Sequence, residues 1–161
     1  MKIGVISDTH LTGCDERLMR LVKDHFRDAD LILHAGDLVD MRVLDAFAGK
    51  EVKAVCGNMD LPSVRQSLPK KLVLNLNNYK VGLIHGWGMP FGIERKLLKE
   101  IGRVDCLVYG HTHRATNAVK DGILFFNPGS ATDRRFASHN TIGMLEIGDG
   151  IRGEIIELKD I

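Results

Sequence analysis

The sequence predicts an α/β fold in which two β-sheets pack face to face with helices outside, and three observations predict it. Short apolar runs and amphipathic stripes alternate through the first third in the order βαβαβ, which builds a parallel sheet with helices packed on it. Later apolar runs follow one another with turn residues between them, which adds strands with few intervening helices. The 161 residues, 44% hydrophobic and 27% charged, are the size of one ordinary globular domain, taken as residues 1–161.

Taken in order, Lys2–Ser7 reads as a buried first strand. Asp15–Phe26 places Leu18, Leu21, Val22 and Phe26 on one helical stripe with charged residues between. Leu31–Ala35 is a second buried strand, followed by a short helix that Asp40 can cap, with Val43, Leu44 and Phe47 inward. Glu51–Cys56 is a third strand. Lys71–Leu76 and Tyr79–Ile84 form a hairpin through Asn77-Asn78, since asparagine tolerates positive φ. Ile93, Leu97 and Ile101 mark a helix that stops near Gly102, and Val104–Tyr109, Ala115–Lys120, Ile123–Phe126, Thr141–Ile147 and Arg152–Leu158 are further strands. Asp121-Gly122 and Gly148-Asp149-Gly150 supply turns between them.

Composition narrows the function classes. Net charge is +1, from 22 Lys+Arg against 21 Asp+Glu, so no global field recruits long nucleic acid or an acidic membrane. Three cysteines, Cys14, Cys56 and Cys106, lie far apart with no Cys-x-x-Cys spacing, which argues against a disulfide framework or a thiolate zinc site and for a reducing compartment. The chain enters a strand at its start, with no apolar stretch that reads as a signal peptide or membrane span. A cytoplasmic protein is expected, and the sequence leaves a homo-oligomer open.

Seven residues of metal-binding type fall where strands end: Asp8 and His10, Asp37 after Gly36, Asn58 after Gly57, His85 before Gly86, and His111 and His113 after Gly110. Polar residues delivered beside glycine at strand ends are how α/β folds build sites at the carboxyl edge of a sheet. Residues two apart on a strand point the same way, so Asp8 and His10 are expected to share an ion; His111 and His113 can share one, or a loop can send them to different ions. Two carboxylates, four imidazoles and one amide oxygen are too many for one tetrahedral ion and suit two five- or six-coordinate ions with Asp37 as the bridge. Imidazole-rich ligation without thiolate argues against calcium and magnesium and for manganese, iron, zinc or their neighbours, nickel among them. Two divalent ions, two carboxylates and a bridging hydroxide leave a pocket charge of about +1, which attracts an anion, and such a pair of ions suits in-line displacement at phosphorus.

Asp-x-His, Gly-Asp, Gly-Asn, His-Gly and Gly-His-x-His, in this order from Asp8 to His113, resemble the motifs of the calcineurin-like metallophosphoesterases. Asn127-Pro128-Gly129-Ser130 resembles a loop of the small single-domain phosphodiesterases of that family. The resemblance implies a four-layer α-β-β-α sandwich with two mixed β-sheets and a dinuclear centre. By position, Asp8, His10, Asp37 and His113 would hold one ion, and Asp37, Asn58, His85 and His111 the other, with Asn58 also near the substrate phosphate. Most relatives that hydrolyse monoesters have histidine immediately after Gly-Asn; this chain has Met59, which cannot protonate a leaving group. Loss of a general acid costs roughly 10²–10⁴-fold, least for leaving groups that depart unprotonated. The expectation is hydrolysis of small phosphodiesters, aryl ones best, by a metal-bridging hydroxide, with Asp37 and Asn58 central to catalysis. Trp87 stands where several relatives have histidine, and it either stacks on a substrate ring or packs under its loop.

Each motif alone has an ordinary structural reading as turn, cap or core histidine; the case rests on their joint occurrence. Two rivals share the resemblance. One is a non-catalytic protein-binding scaffold like the retromer subunit of the same fold; the other is a nuclease or nucleotidase, disfavoured for long nucleic acid by the near-neutral charge. His25 is expected to be solvated, His34 to be hydrogen-bonded in the core, and His139 to reach the site only if its loop folds over it. Asp60 reads as a turn or cap residue.

Overall fold

The computed structural model describes residues 1–135 and 137–159; residue 136, within the loop that carries His139, and the last two residues of the expected domain lie outside the described residues. Ten strands among these form two five-stranded mixed sheets. In the first sheet β1 (Lys2–Ile6), β2 (Leu31–His34) and β3 (Val52–Ala54) run parallel, while β9 (Thr141–Ile147) and β10 (Ile151–Glu157) extend it antiparallel in the order β10-β9-β1-β2-β3. In the second, β5 (Tyr79–Ile84), β6 (Cys106–Tyr109) and β8 (Ile123–Asn127) are parallel, and β4 (Lys71–Leu76) and β7 (Thr116–Lys120) cap the edges antiparallel, in the order β4-β5-β6-β8-β7.

Strand alternation sorts the apolar residues into three layers rather than one core. Ile3, Val5, Leu31 and Leu33 meet Val81, Leu83, Cys106, Val108 and Phe126 between the sheets. Outside the first sheet, α1 (Glu16–His25), the 3-10 helix Met41–Phe47 and α2 (Pro62–Ser67) cover Ile6 and Ile32 through Leu18, Leu21, Phe26, Val43, Phe47 and Val64. Outside the second, α3 (Ile93–Ile101) covers Ile84, Leu107 and Tyr109 through Ile93 and Leu97. The order helix, sheet, sheet, helix is the expected four-layer sandwich. Full burial of each large aliphatic side chain is worth about 1.5–3 kcal/mol, so the layers hold their loops firmly.

Local signals act as the sequence predicts at most ends. Asp15 caps α1 by accepting from the Arg17 and Leu18 amides, Asp40 caps the 3-10 helix, and Gly102 ends α3 with φ 87°. Asn77 carries the β4–β5 turn at φ 52°. The first and third strands are shorter than expected, so that Ser7, Val55 and Cys56 lie in loops, while β8 runs one residue further, to Asn127. The six residues of α2 carry no periodic apolar stripe, and their start signal is Pro62 in the first turn, where a missing N–H costs nothing. No helix among the described residues is long and apolar enough to cross a membrane.

Candidate metal centre

Both parallel trios end at the same edge, so the loops after β1, β2, β3, β5 and β6 meet there. The β1 and β2 loops are zipped together by backbone bonds from Asp8 N to the Gly36 carbonyl, His10 N to Asp37 and Leu11 N to Leu38. Asp8, His10, Asp37, His111 and His113 have left-handed backbones, with φ of 53°, 46°, 54°, 70° and 56°. Each such residue costs about 1 kcal/mol or more, and aspartate and histidine bear the conformation better than most. This corrects one expectation. Asp8 and His10 converge because both sit in left-handed turns beyond the end of β1, not because they alternate on a strand.

Each carboxylate has one oxygen anchored and the other aimed inward. Asp8 Oδ2 accepts from Ser7 Oγ at 2.6 Å and the His111 amide at 3.1 Å, while Oδ1 is buried with no hydrogen bond. Asp37 Oδ1 accepts from the Met59 amide at 2.8 Å, while Oδ2 lies 3.3 Å from His85 Nε2 and 3.8 Å from His10 Nε2. Asp8 Oδ1 in turn lies 3.2 Å from His113 Nε2, 3.8 Å from His10 Nε2 and 4.0 Å from His85 Nε2. Asn58 Oδ1, on the exposed rim, is 2.9 Å from His111 Nδ1 and 3.2 Å from His85 Nε2.

The imidazoles are fixed from behind. His85 Nδ1 donates to the Ala35 carbonyl at 2.7 Å and His111 Nε2 to the Gly88 carbonyl at 2.8 Å, so in the neutral tautomers both turn a lone pair toward Asn58 Oδ1. His10 Nε2 and His113 Nε2 face each other at 3.2 Å. Two glycines make room for the carboxylates: a Cβ on Gly57 would stand 2.1 Å from Asp37 Oδ1, and one on Gly110 2.0 Å from Ser7 Oγ and 2.8 Å from Asp8 Oδ2.

Lone pairs that face one another across 3–4 Å repel unless a positive charge lies between them, and ligands about 2.0–2.2 Å from one ion are spaced at about this distance. Asp8 with His10 and His113, and Asp8 with Asp37 and His85, each place their donor atoms within 4.8 Å of one another. These residues therefore fit divalent metal. Between Asp37 and His85 a proton can take the same place: burial pushes the His85 imidazole down, but Asp37, Asp8 and the Ala35 carbonyl outweigh it and raise its pKa to about 8. Burial raises the Asp37 carboxyl, and His85 overcomes this to hold it below the usual carboxylate range. Desolvation lowers the pKa of His10, which favours its lone pair.

The structure thus brings all seven expected residues to one edge and separates His111, near Asn58 and His85, from His113, near Asp8 and His10. Trp87 is 43% exposed rather than packed under its loop, with Lys96 Nζ 4.7 Å from its ring centroid. His34 is buried, accepts from the Gly36 amide at Nδ1 and meets Thr9 Oγ1 through Nε2; burial takes its pKa to about 3. His25 is exposed, and His139 stays outside, paired with Glu157 at 3.6 Å.

Asp60 and the Asn127–Ser130 loop act as structural supports, and Asp133 is a residue the sequence does not single out. Asp60 is a clamp, accepting from Val39 N at 2.6 Å and Gly57 N at 2.7 Å; it holds Val39 at φ 81°, an outlier for a β-branched residue. Asp133 brings a third carboxylate within 3.8 Å of His10 Nε2 and His113 Nδ1, held by Arg135 at 2.7 Å. The available signal was an acid placed three residues after the Asn127–Ser130 motif. That motif is a brace: Asn127 Nδ2 donates to the Gly110 carbonyl at 3.0 Å and Ser130 Oγ to the Asp8 carbonyl at 2.8 Å.

Residues 1–150 match the family model of the calcineurin-like phosphoesterase superfamily domain. The chain is 41% identical to a probable metallophosphoesterase of Methanocaldococcus jannaschii, over 99% of this chain and 83% of that protein. Among solved structures it is similar to an archaeal phosphodiesterase, with TM-score 0.76 and 25% identity over 98% of this chain and 100% of the other. It is also similar to zinc-complexed Vps29 of Entamoeba histolytica, with TM-score 0.73 and 26% identity over 98% of this chain and 99% of the other.

Proposed function

This chain belongs to the calcineurin-like phosphoesterase superfamily, and from that premise we propose that it hydrolyses small phosphodiesters with two divalent transition-metal ions, manganese foremost. The observation that carries the reading is the ring of inward-facing acceptors: two carboxylate oxygens freed by anchoring of their partners, four imidazoles and an amide oxygen. Asp8, His10, Asp37 and His113 would hold one ion and Asp37, Asn58, His85 and His111 the other. Asp37 would be the shared ligand, and Asp8 Oδ1 also faces members of both sets.

When bound, the ions supply positive charge to the phosphoryl oxygens and make water a competent attacking group near neutral pH. The chain's residues do the rest. Asn58, on the exposed rim, is placed to bind the substrate phosphate as well. The Ala35 and Gly88 carbonyls keep His85 and His111 in the tautomers that present lone pairs. Met59 is 54% exposed beside Asn58 and has no proton to give, so leaving groups that depart as stable anions are favoured. We place the protein in the cytoplasm, in keeping with its three free cysteines.

Likeness to Vps29 favours one other reading, a protein-binding scaffold. The two separate when purified protein is loaded in turn with manganese, zinc, nickel and magnesium and assayed on bis(p-nitrophenyl) phosphate and an alkyl monoester. The enzyme reading expects aryl diester turnover to exceed that of the monoester. Absence of hydrolysis with every ion, whether or not metal is taken up, would leave the scaffold.

A further inference from the structure

Beside the candidate centre lies a cleft of about 460 Å³, within the range of small-ligand sites. Asn58 and His85 belong to its lining, so the cleft opens onto the reacting position. Trp87 forms part of its wall, with Lys96 Nζ seated over the indole and also bonded to the Trp87 carbonyl, which fixes the ring. The remaining polar lining is unbalanced: Arg65, Lys70 and Lys71 stand against the single carboxylate of Glu100. Lys71 donates to Glu100 Oε1 at 2.8 Å and Lys70 acts on the same carboxylate from further off, so three cations share one acid and the corner keeps a net positive charge. Two contacts hold this basic corner near the centre. The Cys56 amide donates to the Pro69 carbonyl at 2.9 Å, and Lys71 is paired with Ile84, the residue before His85.

An aromatic wall and a corner of net positive charge next to a phosphate-reacting position form a composite site. We propose that the cleft selects diesters that carry an aromatic ring and a second, terminal phosphate, with Trp87 stacking on the ring and Arg65 and Lys70 binding the extra phosphate. The inference rests on the phosphodiesterase reading for its reaction and defines that reaction's substrate class: nucleotide-like diesters with a distal phosphate. Hydrolysis adds water across one P–O bond of the diester; the distal phosphate is untouched and serves only in recognition. Arg65 and Lys70 are exposed, so their pull weakens with salt.

Thymidine 5′-(p-nitrophenyl phosphate) and its 3′-phosphorylated analogue differ only in the distal phosphate, and both release nitrophenolate. The manganese-loaded protein is expected to show a KM about tenfold lower for the 3′-phosphorylated diester, the worth of one charge-assisted contact. In R65Q/K70Q the ratio of the two KM values should fall to about one. Binding is read separately from turnover because Trp87 is the single tryptophan of the chain. Thymidine 3′,5′-bisphosphate should change its fluorescence at concentrations about tenfold below those needed for thymidine 5′-monophosphate. Equal KM values in the wild-type protein, or a preference that persists in R65Q/K70Q, would overturn the proposal even if both diesters are cleaved. The fluorescence preference without any hydrolysis would uphold the subsite while defeating the reading of the reaction.

Discussion

At the residue scale, the candidate centre is built by splitting the work of each carboxylate. Asp37 gives one oxygen to the Met59 amide and keeps the other toward His85 and His10, so its side chain is fixed before any ion arrives. Asp37→Ala should leave too few donors to hold a pair of ions. Metal content of the pure variant is expected to fall below one ion per chain, with aryl diester turnover down at least ~10³-fold; turnover within tenfold of wild type would contradict its role. Met59 supports the opposite kind of change. Its side chain is 54% exposed, so Met59→His costs little stability and supplies an imidazole beside Asn58. Turnover of alkyl esters, whose leaving groups need a proton, should rise about 10-fold to 100-fold, and turnover of aryl diesters should change far less. A uniform rise across both leaving groups would show that Met59 is not where protonation is missing.

At the element scale, loops rather than strands hold the donors, and their shapes were only partly legible in the sequence. Apolar runs such as Ile3–Ile6 and Cys106–Tyr109 marked where strands stop, and glycines at 36, 57, 86 and 110 marked close approach. The left-handed backbones of Asp8, His10 and Asp37 were not legible, because any φ compatible with a loop fits the same letters. They are set by tertiary bonds between the β1 and β2 loops. Asp60 is legible as a turn or cap residue, but which amides it clamps is not, because its two partners are backbone N–H groups that carry no residue identity. Asp60→Asn removes one acceptor and turns an amide toward a backbone N–H, so it should cost about 1–3 kcal/mol in urea denaturation. A loss under 0.3 kcal/mol would mean the clamp carries no tension. Gly57→Ala tests the loop differently. The added Cβ must displace Asp37 Oδ1, so metal affinity should fall more than tenfold while far-UV circular dichroism stays native. Unaltered affinity would show that the close approach is incidental.

At the scale of the whole molecule, two sheets packed face to face bring five loops from distant parts of the chain to one edge. The first sheet supplies Asp8, His10, Asp37 and Asn58, and the second His85, His111 and His113. Ions held across that seam tie the two sheets together, so metal should stabilise the folded chain and not only its loops. At free metal one hundred times its dissociation constant, the gain is about 2.7 kcal/mol for one site, or roughly 5–10 °C in Tm for a chain of this size. A chelator should reverse it. The central claim is that these side chains enclose a pair of ions, and metal stoichiometry tests it most directly. Protein dialysed against excess manganese and then freed of unbound ion should retain two ions per chain by elemental analysis, with turnover of bis(p-nitrophenyl) phosphate rising as the second site fills. Retention of no ion by a folded, monodisperse sample would contradict it.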